Sequence, residues 1–187
     1  ISALPPSSPE DRLKKITLGD EWGKVNFYLF PFIKPGYVRH LFEEGKVTGY
    51  DSAFRAVLER EEIREEERNV LLAHQFFVSG TGDPSLCDSE SVMLTSGGLD
   101  QIDVSALAYA ALGHLHGPQK VGEERFRYSG TPYKYSVSEE HHHKAVMMVT
   151  LEEKGTLKTE SLPLICRPDV RRLRGSLEDV LAASGGE

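Results

Sequence analysis

The sequence is poor in cysteine, in long apolar runs and in excess positive charge. Only Cys87 and Cys166 occur among 187 residues. They are too few for a disulfide framework and too far apart for a Cys-x-x-Cys site, so the expectation is two thiols in a reducing, cytoplasmic setting. No stretch approaches the roughly 18 apolar residues that a membrane-spanning helix requires. Lys and Arg number 22 against 29 Asp and Glu, giving a net charge of −7. That excludes a generally basic nucleic-acid coat protein but leaves room for an enzyme with a local basic groove. There is no internal repeat and no coiled-coil heptad. There is also no initial Met: the chain opens Ile1-Ser2-Ala3, and no charged-then-apolar leader follows, so residue 1 is not expected to be the natural start.

What remains is an apolar content of 39%, low but sufficient for a core, in a length that predicts one ordinary domain. Residues 1–12, rich in Pro and Ser, read as a loop. Residues 25–30 are aromatic and β-branched and close on Pro31, which predicts a strand. A short amphipathic stretch over 37–43 follows Pro35-Gly36. A longer helical pattern runs from Asp51 to about Arg68, with Ala53, Phe54, Val57, Leu58 and Ile63 on its apolar face and Asp51 or Ser52 as cap. The Glu/Arg-rich run 60–68 reads as a solvated face laced with weak ion pairs rather than an acidic docking face. The apolar run 69–74 after that helix suggests a buried strand of an α/β layered domain. A loop is expected at 79–90, one or two helical turns at 103–109, a second apolar strand at 109–113 and a strand at 125–129. Residues 145–151 and 156–164 read as a hairpin whose turn uses Gly155. Residues 169–182 are basic, then helical, with Ser176 as N-cap.

His114 and His116 follow an apolar strand and precede Gly117-Pro118. In extended backbone residues two apart share a face, and a strand end is where a site can open. His74 ends the other buried-looking strand. A single such histidine is more simply a structural one; three at the ends of core strands form a constellation suited to a transition metal. The consecutive His141, His142 and His143 follow Glu139-Glu140 in a loop. They cannot all face one way, and read as solvated side chains. Arg125, Arg127, Lys120, Lys134 and Lys144 surround the Ser129-Gly130-Thr131-Pro132 turn, with Tyr128, Tyr133 and Tyr135 interleaved. Such a group could hold a phosphodiester backbone, or could equally be an ordinary strand pair with solvated cations. Arg167, Arg171, Arg172 and Arg174 form a second local basic group.

Four segments resemble a known family in order and spacing. They are Asn69-Val-Leu-Leu-Ala-His74-Gln75, Ala111-Leu-Gly-His114-Leu-His116-Gly-Pro-Gln-Lys-Val121, and Arg127-Tyr-Ser-Gly-Thr-Pro132 with Tyr135-Ser-Val-Ser-Glu139. They look like the SbcD family, nuclease subunits of bacterial double-strand-break repair complexes within the calcineurin-like metallophosphoesterases. The likeness runs from about Val25 to the end of the chain. It implies the C-terminal half of an αββα metallophosphoesterase sandwich over residues 1–165. Residues 166–187 would start a capping, DNA-binding domain. It implies a site with two divalent metals, usually Mn2+, in which His74 and His114 ligate one ion and His116 the other. The implied activity is exonuclease and endonuclease hydrolysis at duplex ends and hairpins in DNA repair, recombination and replication. The implied partners are DNA and an SbcC-type ATPase, with no membrane. Arg127, Ser129, Lys134, Arg171 and Arg172 become candidate DNA contacts.

The first three motifs of that family, Asp-x-His, Gly-Asp-x-x-Asp and Gly-Asn-His-Asp, are not in the sequence. Ser8-Pro9-Glu10-Asp11-Arg12-Leu13 looks like the text that follows the third. The expectation is therefore that this chain alone holds no catalytic residue and an incomplete metal site, and is inactive although its parent is a nuclease. An unpaired sheet edge and an uncovered apolar face would favour a homodimer or other self-association. The rival readings are a non-catalytic DNA- or partner-binding assembly module, and an enzyme for small phosphodiesters, which would not need segments 125–139 and 167–182.

Overall fold

The computed structural model describes residues 4–78, 104–153, 155–165 and 169–184. The expected loop at 79–90, both cysteines, Arg167 and the first residue of the turn expected at 103–109 lie outside the described residues.

The chain begins with an antiparallel pair, β1 (Lys14–Asp20) and β2 (Gly23–Phe30). Pro35–Val38 makes one helical turn, α1, continued as a 3-10 turn over Arg39–Leu41, and α2 spans Tyr50–Glu59. Then come β3 (Arg68–His74), β4 (Tyr109–Gly113), β5 (Gln119–Val121) and β6 (Glu123–Tyr128). A separate hairpin pairs β7 (Ala145–Leu151) with β8 (Leu157–Pro163), and α3 (Leu177–Ser184) closes the described chain. The main sheet has six strands in the order β1-β2-β3-β4-β6-β5. Its centre, β2-β3-β4-β6, is parallel, and its two flanking strands are antiparallel.

Alternation along the central strands sorts their side chains onto two faces. Tyr28, Phe30, Leu71, Ala73, Ala110, Leu112, Phe126 and Tyr128 pack with Phe54, Ala56 and Val57 of α2. Phe54 is the centre of this layer, with its ring 4.3 Å from that of Phe30 and 4.9 Å from that of Phe77. On the other face Val25, Val70 and Tyr109 pack with Val149, Leu151 and Leu157 of the hairpin. The order of layers is helix, sheet, hairpin. Strand β3 is apolar on both sides because both of its faces are covered. The protein is thus a layered α/β fold around a mostly parallel sheet.

Several expectations are refined. The helix expected to reach Arg68 ends at Glu59. Glu61 N donates to Leu58 O in a tighter turn, and Glu62 adopts a φ of 48°. The buried Asn69 amide donates to the carbonyls of Arg64 (2.7 Å) and Glu67 (3.2 Å), the first being an acceptor that a helix reaching Arg68 would use. Gly49 occupies the N-cap of α2. Ser52 acts from the third position, its Oγ accepting from Thr48 N and Gly49 N at 2.9 Å each. Strands β1 and β5 have no expected counterpart: β1 is exposed along its length, and β5 has only three residues. The hairpin expected from 145–164 is present with Gly155 at φ +90°. Ser176 caps α3, accepting from Asp179 N at 3.2 Å.

Candidate functional site

The four parallel strands point the same way, so their C-terminal ends share one edge of the sheet. Ligands of parallel α/β sheets gather at such an edge, where loops diverge and helix packing stops. Here β3 delivers His74, paired in register with Gly113 of β4, and His114 follows immediately. The two imidazole rings lie edge to face, with centroids 5.5 Å apart. Gly113 gives the His74 ring room: a Cβ there would stand 3.0 Å from Nδ1, and the ring would have to shift by a few tenths of an ångström. His114 itself has a φ of 124°, in the region that side-chain-bearing residues rarely adopt. Strain of this kind persists where surrounding structure enforces it.

The residues after β3 hold His74 in place. Gln75 pairs with Ile33 like an extra rung of sheet, its Nε2 donating to Ile33 O at 3.1 Å and its Oε1 accepting from Ile33 N at 3.2 Å. The buried Tyr128 hydroxyl donates to Gln75 O at 2.9 Å and accepts from Phe77 N at 2.7 Å. Phe32 and Phe76 stand edge-on to His74 and His114, respectively. His74 remains exposed, and partial burial against its neighbours pushes its pKa down, in the direction that favours the neutral ring.

His116 meets other partners than the His74–His114 pair. Its Nδ1 is 3.0 Å from Glu139 Oε1, and its ring lies 6.0 Å from that of Tyr135. Glu139 has no exposed surface and also meets Lys144, whose Nζ is 2.6 Å from Oε2. Lys144 Nζ donates in addition to His116 O and Thr131 Oγ1, both at 2.9 Å. Burial disfavours the Glu139 anion, but the hydrogen bonds from Lys144 and His116 outweigh it and hold the carboxyl at about 2. Sequence reasoning does not join Glu139 to Lys144. The available signal is a carboxylate and an amine five residues apart, flanking three histidines.

The histidine triplet divides. His141 and His143 are exposed, as expected of a solvated loop. His142 is not: its ring sits over Gly117, where a Cβ would be 3.3 Å from Cε1, and its Nδ1 lies 4.0 Å from Glu139 Oε2.

The candidate DNA contacts fall into two groups. Arg127 projects from β6 and pairs with Glu124, while Ser129 follows the strand end at the site edge. Lys134 is largely buried, bonded to Glu140 O at 2.8 Å and Asp169 Oδ1 at 2.9 Å. Arg171 and Arg172 are exposed; Arg171 reaches Ala183 O at 2.7 Å, and the backbone N of Arg172 donates to Glu140 at 3.1 Å. Arg171 and Arg172 are more exposed than Arg127 and Lys134, although Arg172 also pairs with Glu140, Nε to Oε1 at 3.9 Å.

His74 and His114 fit a transition metal in kind. Two imidazoles on one ion, with nitrogen–metal bonds of about 2.1 Å, place their ring centres roughly 5 Å apart. They do not complete a centre: among the described residues no group of three His, Cys, Asp or Glu side chains is assembled to hold an ion.

The architecture places the protein among layered α/β folds with a strand-end site. No protein-family profile matches the chain. Its sequence is similar to the SbcD component of the nuclease SbcCD from Staphylococcus epidermidis, with 27% identity over 166 residues. That match takes in 86% of this chain and 43% of the relative, so the chain spans less than half the length of the relative. Among the described residues, no helix is long and apolar enough to cross a membrane.

Proposed function

We propose that this chain is the histidine-bearing, C-terminal part of the catalytic domain of a metal-dependent DNA nuclease, a cytoplasmic SbcD-type protein that works with an SbcC-type ATPase on duplex ends and hairpins. The observation that carries the reading is the pair of strand-end imidazoles, His74 and His114, brought together by the β3–β4 register and Gly113. The similarity to the staphylococcal nuclease component supports the same reading. His74 and His114 would hold one ion and His116 a second, Mn2+ being the metal of choice. The remaining ligands, including the carboxylates, would come from outside this chain.

A bound pair of divalent ions would supply an activated water and stabilise charge on the scissile phosphate. The chain's own residues prepare that chemistry. Phe32 and Phe76 flank His74 and His114 edge-on and leave the exposed His74 ring open to a ligand. The Gln75–Ile33 rung and the Tyr128 hydroxyl fix the strand end from which His74 projects. Residues 169–184 begin the DNA-selecting cap, and Arg171 and Arg172 contact the phosphate backbone.

The test is Mn2+-dependent cleavage of an end-labelled linear duplex by the 187-residue chain and by the chain extended with its upstream reading frame. The extended protein is expected to cut, to lose at least 100-fold with His114→Ala, and the shorter chain not to cut. Cleavage by the shorter chain, or an undiminished His114→Ala protein, overturns the reading.

A second reading, a non-catalytic DNA-binding module, draws on the exposed Arg171 and Arg172, the second of which meets Glu140 next to Glu139. It requires duplex binding by the 187-residue chain that weakens with salt and weakens further in R171E/R172E. Duplex binding that the double charge reversal leaves unchanged rules that surface out.

A further inference from the structure

The buried Glu139–Lys144 pair lies outside the His74–His114 pair and grips His116 at two points. Glu139 holds the ring through Nδ1 at 3.0 Å, and Lys144 holds the backbone carbonyl at 2.9 Å. Every polar atom of the pair that meets His116 is tied a second time. Glu139 Oε1 also accepts from Tyr135 N at 3.3 Å, and Lys144 places its three protons on Glu139, Thr131 and His116. Thr131 N closes the ring of contacts on His116 O at 3.1 Å. That closure needs glycine at 130, with φ +77°, because a Cβ there would stand 2.6 Å from the same carbonyl. A buried ion pair adds little net stability over an apolar pair of equal volume. A charge pair kept at this depth, with all donors of the amine used, is better suited to fixing an orientation.

We propose that Glu139, itself oriented by Lys144, is a positioning residue that fixes the tautomer of His116. A carboxylate at 3.0 Å from Nδ1 requires a proton on Nδ1. The nitrogen of the neutral ring that retains its electron pair is then Nε2. Histidines that bind metals commonly donate their second ring N–H to a carboxylate in this way, which sets the ring and strengthens the donor nitrogen. The Glu139–Lys144 pair would thus prepare His116 as an Nε2 ligand for a divalent cation before any cation arrives. The proposal rests on the metal-dependent reading above; the tautomer it requires belongs to the chain alone.

The experiment is long-range proton–nitrogen NMR of the histidine rings in the metal-free 187-residue chain. His116 is expected in the Nδ1–H form. It should stay so in Glu139→Gln, which keeps an acceptor oxygen, and shift toward the Nε2–H form in Glu139→Ala. A wild-type His116 in the Nε2–H form overturns the proposal without any variant, so a Glu139→Ala chain that fails to fold leaves the test intact. A folded Glu139→Ala chain with an unchanged tautomer overturns it as well. In the extended nuclease, Glu139→Ala is expected to weaken Mn2+ binding 10- to 100-fold, with Glu139→Gln closer to wild type. If the extended wild-type protein does not cut, the nuclease reading fails while the tautomer still reports on Glu139.

Discussion

At the scale of residues, the site depends on a few side chains and on Gly130, which has no room for a Cβ. Gly130→Ala places a methyl group against His116 O and forces an L residue to a positive φ. A loss of about 1–3 kcal/mol is expected in urea unfolding, read as a lower midpoint at unchanged slope. Glu139 makes stability depend on acid. Its folded carboxyl is held at about 2 against an ordinary 4.5, so the unfolded chain takes up its proton first as pH falls. The contribution is complete above about 4.5 and is lost as pH falls from there toward 2. Unfolding at pH 7 and pH 3 should show a larger acid loss in the wild type than in Glu139→Gln; equal losses would contradict the assignment. His74 and His114 are legible in the sequence because each ends an apolar run and a strand end is a place for function. The Glu139–His116 contact is not. It links positions 23 residues apart through a turn whose course depends on Gly130, and no local periodicity reports such a contact.

At the scale of elements, the strands that matter for the site are readable in the sequence and their outer partners are not. Strands β2, β3, β4, β6, β7 and β8 announce themselves by apolar or alternating runs, and Gly155 marks its turn. Strand β1 alternates weakly and is exposed throughout, so nothing in its composition distinguishes it from a loop. The early stop of α2 is hidden for a different reason. Residues 60–68 have good helical composition, but the Asn69 amide captures the Arg64 carbonyl, and Ile63 packs partly buried against the core. Tertiary hydrogen bonds here override local propensity. The α2 layer supports the sheet beneath the site chiefly through Phe54, which is 1% exposed between Phe30 and Phe77. Phe54→Ala should cost about 3–5 kcal/mol in equilibrium unfolding. A cost below about 1 kcal/mol would mean that the aromatic layer is not what holds α2 to the sheet.

At the scale of the whole molecule, the protein is a helix, a mostly parallel sheet and a hairpin stacked in that order, with histidines at the sheet's C-terminal edge. Within the described residues, Ile16 and Leu18 of β1 and Val146, Met148 and Leu162 of the hairpin remain exposed. The central claim is that His74 and His114 form the chain's share of a metal site. The most direct measurement is a Zn2+ titration of the 187-residue chain followed by NMR of its histidine ring nitrogens. Zn2+ binds imidazole more tightly than Mn2+ does and so reports a partial site. The account predicts that His74 and His114 respond together, at lower Zn2+ than His141 and His143, and that His74→Ala abolishes the response of His114. A response confined to His141 and His143, with His74 and His114 unmoved, would contradict it.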